Sequence, residues 1–545
     1  MIVSFGDLTR EQREVADLSA RTVLVLGGAG VGKTTTALWA ARRELTSHGA
    51  REYPTPEGRV LFVTFSRTAV AQIRSRAGKV LSGIGDAVEV ITFHGLAYRV
   101  LCAFGRHIGF EDAPTLTGEA RKKLLGSELG ASLAYVDLLP GALRLMETAG
   151  PISELLSSRW RLVICDEFQD TDELEWRLLQ FLGRTARLLL LADPNQMIYQ
   201  FKRGVGEERL EAARALSGSI ERTLPPGSHR DPTQVIPDAA SEIRWRRFKS
   251  PPVLEAVSQD RLRIRQAIPD SDEERAAAIA EEIGRLRSEG HQTIGVYAKT
   301  NSDAAGLSAV LTAQGVDHVP IGFSEAYGEA LAAMLVMVNY AQGHAAWPDV
   351  RTGLATVLTA GVRSPKAPPV AVALHRGAQL PGVLESRFLR LKERLDSADG
   401  LEEASSVAVD AWGGIGMTVG RRSWRRASQT FISLYGRAKL DRIDSAGRLQ
   451  RMVDEVRNAS FVELDAGDTG AIQLMNFSQT KGREADAVVL SYTSNDWYGP
   501  DAAEPFDEAS RLLYVSLTRA REAVVVLLPP DPHPLVRPFL EIQTS

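Results

Sequence analysis

The sequence predicts an α/β protein built on parallel sheets that helices cover on both faces. Three observations predict it. Residues 22–26 (TVLVL) form a short β-rich run leading into the glycine loop GGAGVGKT (27–34), and the segment that follows, KTTTALWAARREL, reads as a helix. Further strand-like runs recur with helical stretches between them: VLFVTF (60–65), AVEVITF (87–93), LVIC (162–165) and RLLLLAD (187–193). Such alternation favours a parallel sheet. A second series begins near residue 226, with the amphipathic stretch 272–290, the strand TIGVYAKT, and later AIQLMNF and DAVVLSY (486–492). Residues 100–158 and 351–465 lack clear strand runs and read as helical insertions.

Bulk properties bound the rest. A chain of 545 residues with 44% hydrophobic content supports three to four structural units. The net charge of −4 means that a nucleic-acid partner needs a local basic groove, since the whole surface is not basic. Cys102 and Cys165 cannot build a four-thiolate metal site, and their scarcity points to a reducing, cytoplasmic setting. The N-terminal stretch carries no basic-then-apolar signal segment, and no apolar run of about 18 residues predicts a membrane span.

Two strings carry chemistry. Gly27 to Thr34 fits the phosphate-loop spacing. There the backbone N–H groups of Gly28, Ala29, Gly30, Val31 and Gly32 point inward at phosphate oxygens. Lys33 reaches the terminal phosphates, and Thr34 and Thr35 open a helix whose positive end faces them. In ICDEFQD (164–170), Asp166 and Glu167 follow a buried strand and emerge at its carboxyl end, where sheets of this kind bind ligands. Thr34 and Asp166 suit Mg²⁺, and Glu167 suits positioning of an attacking water. Together the strings imply binding and hydrolysis of a nucleoside triphosphate.

Taken with its neighbours, DEFQD resembles the superfamily 1A helicases of the UvrD/Rep/PcrA type, and the likeness runs nearly the full length in order. FGDLTREQ (5–12) resembles the family's adenine-reading segment and puts Gln12 on the base. VTFSRTAVAQIRSR (63–76) and ITFHGLAYRVL (91–101) resemble its early DNA-contacting motifs, implying DNA roles for Thr64, Phe65, Thr92 and His94, while Phe93 reads as core. LADPNQMIYQF (191–201) gives Gln196 a γ-phosphate contact and Phe201 a base-stacking role. SHRDP (228–232) supplies His229 and Arg230. NFSQTKGREADAVVL (476–490) and SRLLYVSLTRARE (510–522) supply Glu484, at the ribose, and Arg519. The resemblance implies two RecA-like domains that close on ATP and Mg²⁺, with Arg230 and Arg519 as fingers from the second domain.

The implied boundaries are 1–99 and 159–225 for the first RecA-like domain, with 100–158 inserted. The second would span 226–350 and 466–545, with 351–465 a reduced 2B-like insertion. The implied activity is ATP-driven 3′ to 5′ movement on single-stranded or tailed duplex DNA, of the kind used in DNA repair. The alternative is a DNA-stimulated ATPase subunit that regulates a partner nuclease in repair or phage defence. Departures from the family pattern bear on this choice. His229 stands where the family stacks a tyrosine, and Asn476 and Ser478 replace the usual threonine and histidine. Little chain remains after 524–530 for a strand-separating hairpin, leaving Trp497 or Tyr498 in SNDWYGPDAAEPF (494–506) as a wedge. Two basic clusters with interleaved aromatics, IRWRRFK (243–249) and GRRSWRRA (420–427), read either as solvated faces or as duplex- or partner-binding surfaces.

Overall fold

The computed structural model describes residues 5–46, 59–110, 114–126, 132–148, 150–199, 204–320, 325–362, 364–439, 444–461, 471–498 and 503–542. In chain order the strands are β1 (Thr22–Leu26), β2 (Arg59–Thr64), β3 (Val88–Thr92), β4 (Thr115–Thr117), β5 (Ser132–Ala134), β6 (Trp160–Cys165), β7 (Arg187–Ala192), β8 (Ser219–Thr223), β9 (Leu262–Arg265), β10 (Ile294–Ala298), β11 (Val319–Pro320), β12 (Ile472–Asn476), β13 (Ala485–Ser491) and β14 (Ala520–Leu527). They form a six-stranded sheet of order β3-β2-β6-β7-β1-β8, a second of order β11-β12-β10-β13-β14-β9, and the small pair β4-β5. Among the described residues every pairing is parallel.

Continuous apolar runs suit such strands because helices cover both faces of the sheet. In β1 the two-residue alternation sends Leu24 into one core with Leu61, Val163 and Leu190, and Val23 and Val25 into another with Phe62, Ile164 and Leu191. The second sheet divides likewise. Val296, Leu474 and Val489 face one cluster, and Tyr297, Met475 and Val488 the other.

Helices occupy Glu325–Ala341, Trp347–Ala360, Pro369–Arg376, Val383–Asp396, Gly400–Gly414, Arg421–Ala438 and Ser445–Phe461. Their core, with Trp412 stacked on Trp424 at 4.7 Å, is continuous with one face of the second sheet. Among the described residues of 100–158 the regular elements are helices and the β4-β5 pair, which the sequence reading does not foresee. Strands of three residues are too short to show a period. Among the described residues no helix is long and apolar enough to cross a membrane.

Candidate active site

The carboxyl edge of the first sheet gathers the first half of the site. The glycine loop follows β1, Thr64 and Phe65 end and follow β2, Asp166 follows β6, and Asp193 follows β7. Opposite stand residues that precede strands of the second sheet: Glu484 before β13 and Arg519 before β14. Between them lies a cleft of about 860 Å³ lined from both lobes.

The loop's shape depends on glycine at two positions. Gly30 and Gly32 have φ of 78° and 89°, in the region that side chains disfavour. A Cβ on Gly32 would lie 2.6 Å from Gln12 Nε2, and one on Gly30 would lie 2.2 Å from Ser228 Oγ. Gln12 donates from that Nε2 to the Val31 carbonyl at 2.9 Å, and its Oε1 accepts the Thr9 N–H, closing a capping box at the start of helix Arg10–Asp17. The exposed His229 hangs beside Gly32, and its backbone N–H donates to the Gly30 carbonyl at 2.9 Å. Lys33 opens the helix Lys33–Thr46 and turns its Nζ onto the carbonyls of Gly27 and Gly28, at 2.6 and 2.9 Å. Thr35 sits one residue further on and is half-buried, and the Thr36 hydroxyl ties back to the Gly32 carbonyl.

Thr34 Oγ1 donates to Asp166 Oδ2 at 3.2 Å. A hydroxyl and a carboxylate held this close are hard oxygen donors suited to one Mg²⁺. Burial, and then the neighbouring Glu167 charge, push the Asp166 carboxyl up to about 6. Glu167 occupies the left-handed region, with φ of 56°. Burial works against its charge, but Lys481 and Lys33 outweigh it and hold the carboxyl at about 2. Gln169 donates to Glu167 Oε2 at 2.8 Å, and its Oε1 accepts the Asp193 N–H at 3.1 Å. Gln196 Nε2 in turn donates to Asp193 Oδ2 at 2.6 Å.

The second lobe closes this chain of contacts. Arg519, fully enclosed, donates to Gln196 Oε1 at 3.2 Å. Burial and the neighbouring Arg230 lower its pKa to about 10, which leaves it a cation. Arg230 lies on the connection between the sheets and pairs with Glu484 at 2.7 Å. Arg76 and Arg521 also approach Glu484, at 3.4 and 3.2 Å. Burial opposes the Glu484 charge, yet these arginines hold its carboxyl at about 2.

Three residues that sequence reasoning passed over belong here. Lys481 forms an ion pair with Asp170, donates to the Gln196 carbonyl at 2.8 Å and stands 3.6 Å from Glu167. Tyr514 presents its hydroxyl to the Ala29 N–H at 3.4 Å. Tyr199 donates to the Ser478 carbonyl at 2.9 Å across the cleft. Each sat inside a quoted motif, where its charge or hydroxyl was the available signal.

The residues expected at DNA divide. Thr64 is buried but lines the cleft, and Phe65 packs on the core residue Phe93 at 5.3 Å with its remainder in the cleft. The Thr92 hydroxyl accepts the Gly95 N–H and caps the helix Phe93–Phe104, an internal task. His94 lines the cleft and stacks on Tyr135. Phe201 lies outside the described residues. Asn476 Nδ2 donates to Asn301 Oδ1 at 2.5 Å, tying β12 to the helix Asn301–Ala313.

Of the proposed wedge pair, Trp497 is 70% exposed, whereas Tyr498 packs beneath Lys299 at 3.8 Å and beside His533. Some members of the basic clusters tie the fold together, and others, such as Trp245, Arg247 and Arg425, stay exposed. Arg244 pairs with Asp507 and Ser510, Arg246 with Glu504, and Trp424 is core.

Sheet order, phosphate loop and converging arginines define a two-lobed P-loop ATPase. Residues 12–202 match a family model described as an AAA domain. The chain is 26% identical to the ATP-dependent DNA helicase UvrD2 of Mycobacterium tuberculosis, over 94% of this chain and 77% of that protein. It is 26% identical to the RecBCD enzyme subunit RecB of Mycolicibacterium smegmatis, over 73% of this chain and 42% of that one. It is 23% identical to DNA helicase II of Escherichia coli K12, over 37% and 36%. The solved structure of Mss116p bound to ssRNA and AMP-PNP aligns at 9% identity with a TM-score of 0.40, covering 99% of this chain and 73% of that one. With its motifs in order, the chain is similar along most of its length to UvrD/Rep-like superfamily 1 helicases.

Proposed function

We propose that this protein is an ATP-dependent DNA helicase that couples hydrolysis to 3′ to 5′ movement along single strands. The observation that carries the reading is the contact from Arg519 to Gln196, because it makes the hydrolytic site a property of both lobes. Relatives over most of the chain that are named DNA helicases support the nucleic-acid half of the reading.

Lys33 and the loop N–H groups would bind the triphosphate, with Gln12 and His229 at the base and Glu484 near the ribose. Thr34 and Asp166 would hold Mg²⁺, which neutralises phosphate charge when bound. Glu167, kept ionised and oriented by Gln169, would accept a proton from the attacking water. Gln196 would report the γ-phosphate, and Arg519 and Arg230 would meet the charge that develops there. Because Arg519 belongs to the other lobe, hydrolysis and lobe closure become one event. Phe65 and His94 would receive bases on the first lobe, with Thr64 beside them.

A second reading makes the chain a DNA-stimulated subunit that controls a partner nuclease. Its support is the similarity to RecB, named as a subunit of the RecBCD enzyme.

The test is ATP turnover with no DNA, single strands and duplex, followed by displacement from 3′-tailed and 5′-tailed duplexes. Stimulation by single strands with displacement from the 3′ tail alone supports the first reading. Turnover indifferent to DNA contradicts both.

A further inference from the structure

Tyr135 lies outside every motif, on the turn Tyr135–Asp137 that ends β5 within the first insertion. Its ring stacks on His94 with centroids 3.9 Å apart and planes within 10°. Half of the residue, 51%, stays exposed, as does its neighbour Val136. The pair therefore presents a flat apolar face to solvent. That face lines the same cleft as Phe65, Tyr199 and Ser478.

The turn is firmly held. Asp137 Oδ2 accepts the Ala134 N–H at 3.0 Å and Asp137 Oδ1 accepts from Lys122 at 2.6 Å. Lys122 belongs to the helix Glu119–Leu125, whose Leu124 packs into the core of the second lobe's helices. The Ala120 N–H of that helix donates to Glu325 at 2.8 Å. A large ring kept half in water on a braced turn, with its plane fixed by a histidine, is preorganised for stacking and adds little to a core.

We propose that Tyr135 and His94 form a ledge on which one unpaired nucleobase of single-stranded DNA stacks, with Tyr135 the residue that supplies most of the contact. This rests on the reading of the cleft as a DNA path. Aromatic faces take any base, so the ledge adds affinity without sequence preference.

The test uses the full-length chain and a labelled oligothymidine, with affinity read by fluorescence anisotropy. Tyr135→Ala is expected to weaken binding roughly 5- to 150-fold, the range for one lost stack, while Tyr135→Phe and Tyr135→Trp stay close to wild type. The salt slope should not change, because no phosphate contact is removed. A fluorescent ATP analogue should bind Tyr135→Ala as well as wild type, which separates a DNA base from the nucleotide's own base. Wild-type oligonucleotide affinity in Tyr135→Ala, or a loss confined to the analogue, overturns the ledge and leaves the helicase reading standing. A wild-type chain that binds no single strands overturns both.

Discussion

Lys481 of the second lobe stands 3.6 Å from Glu167 of the first, inside the site that the two lobes share. The same ammonium pairs with Asp170, and these two side chains are 8% and 1% exposed. Removing one partner from a buried pair leaves an uncompensated charge.

Lys481→Ala is accordingly expected to lower stability by about 3–5 kcal/mol. Adding Asp170→Asn to the same chain should restore most of the loss. Urea unfolding of the two singles and the double gives the coupling. A Lys481→Ala chain as stable as its parent would contradict the geometry.

The phosphate loop yields a second prediction. Gly32→Ala forces a side chain into φ of 89° and sets a Cβ 2.6 Å from Gln12 Nε2. The backbone strain alone is about 1–3 kcal/mol. Titration with a fluorescent ATP analogue should show a clear loss of affinity. Gly436→Ala, on the helix Arg421–Ala438 with nothing within 4 Å of its Cβ, is the control and should bind normally.

Glu484 makes stability depend on acid. Its carboxyl is held at about 2 against an ordinary 4.5, so the folded state binds its proton less readily than the unfolded chain. The stability this supplies is complete above 4.5 and drains away as pH falls toward 2. Glu484→Gln should therefore flatten the fall of Tm with pH across that window. An unchanged slope would mean that the three arginines do not act on this carboxylate as their distances imply.

Much of this was legible in the chain because buried parallel strands are written as unbroken apolar runs. TVLVL coincides with β1, and LVIC and RLLLLAD fall on β6 and β7. The edge strands β8 (SIERT) and β9 (LRIR) were not legible, since β8 holds a single apolar residue and no buried one, and in β9 arginines alternate with the apolar residues. Lys33, Asp166 and Glu167 could be named because their motifs fix local geometry. Lys481 and Tyr514 needed the tertiary structure, which brings them to partners hundreds of residues away in sequence, Lys481 to Asp170 and Tyr514 to Ala29. Thr92 shows the converse, a polar residue whose hydroxyl caps its own helix. Among the aromatics of SNDWYGPDAAEPF, sequence gave no way to tell the packed Tyr498 from the exposed Trp497.

The most direct test of the central claim, one ATP site made by two lobes, is steady-state ATP turnover of Arg519→Ala beside Lys33→Ala, with nucleotide affinity measured in parallel. Lys33→Ala should lose phosphate binding and turnover together. Arg519→Ala should still bind nucleotide while its kcat falls at least ~10²-fold, as for a lost arginine finger. Near-normal turnover in Arg519→Ala would contradict the shared site.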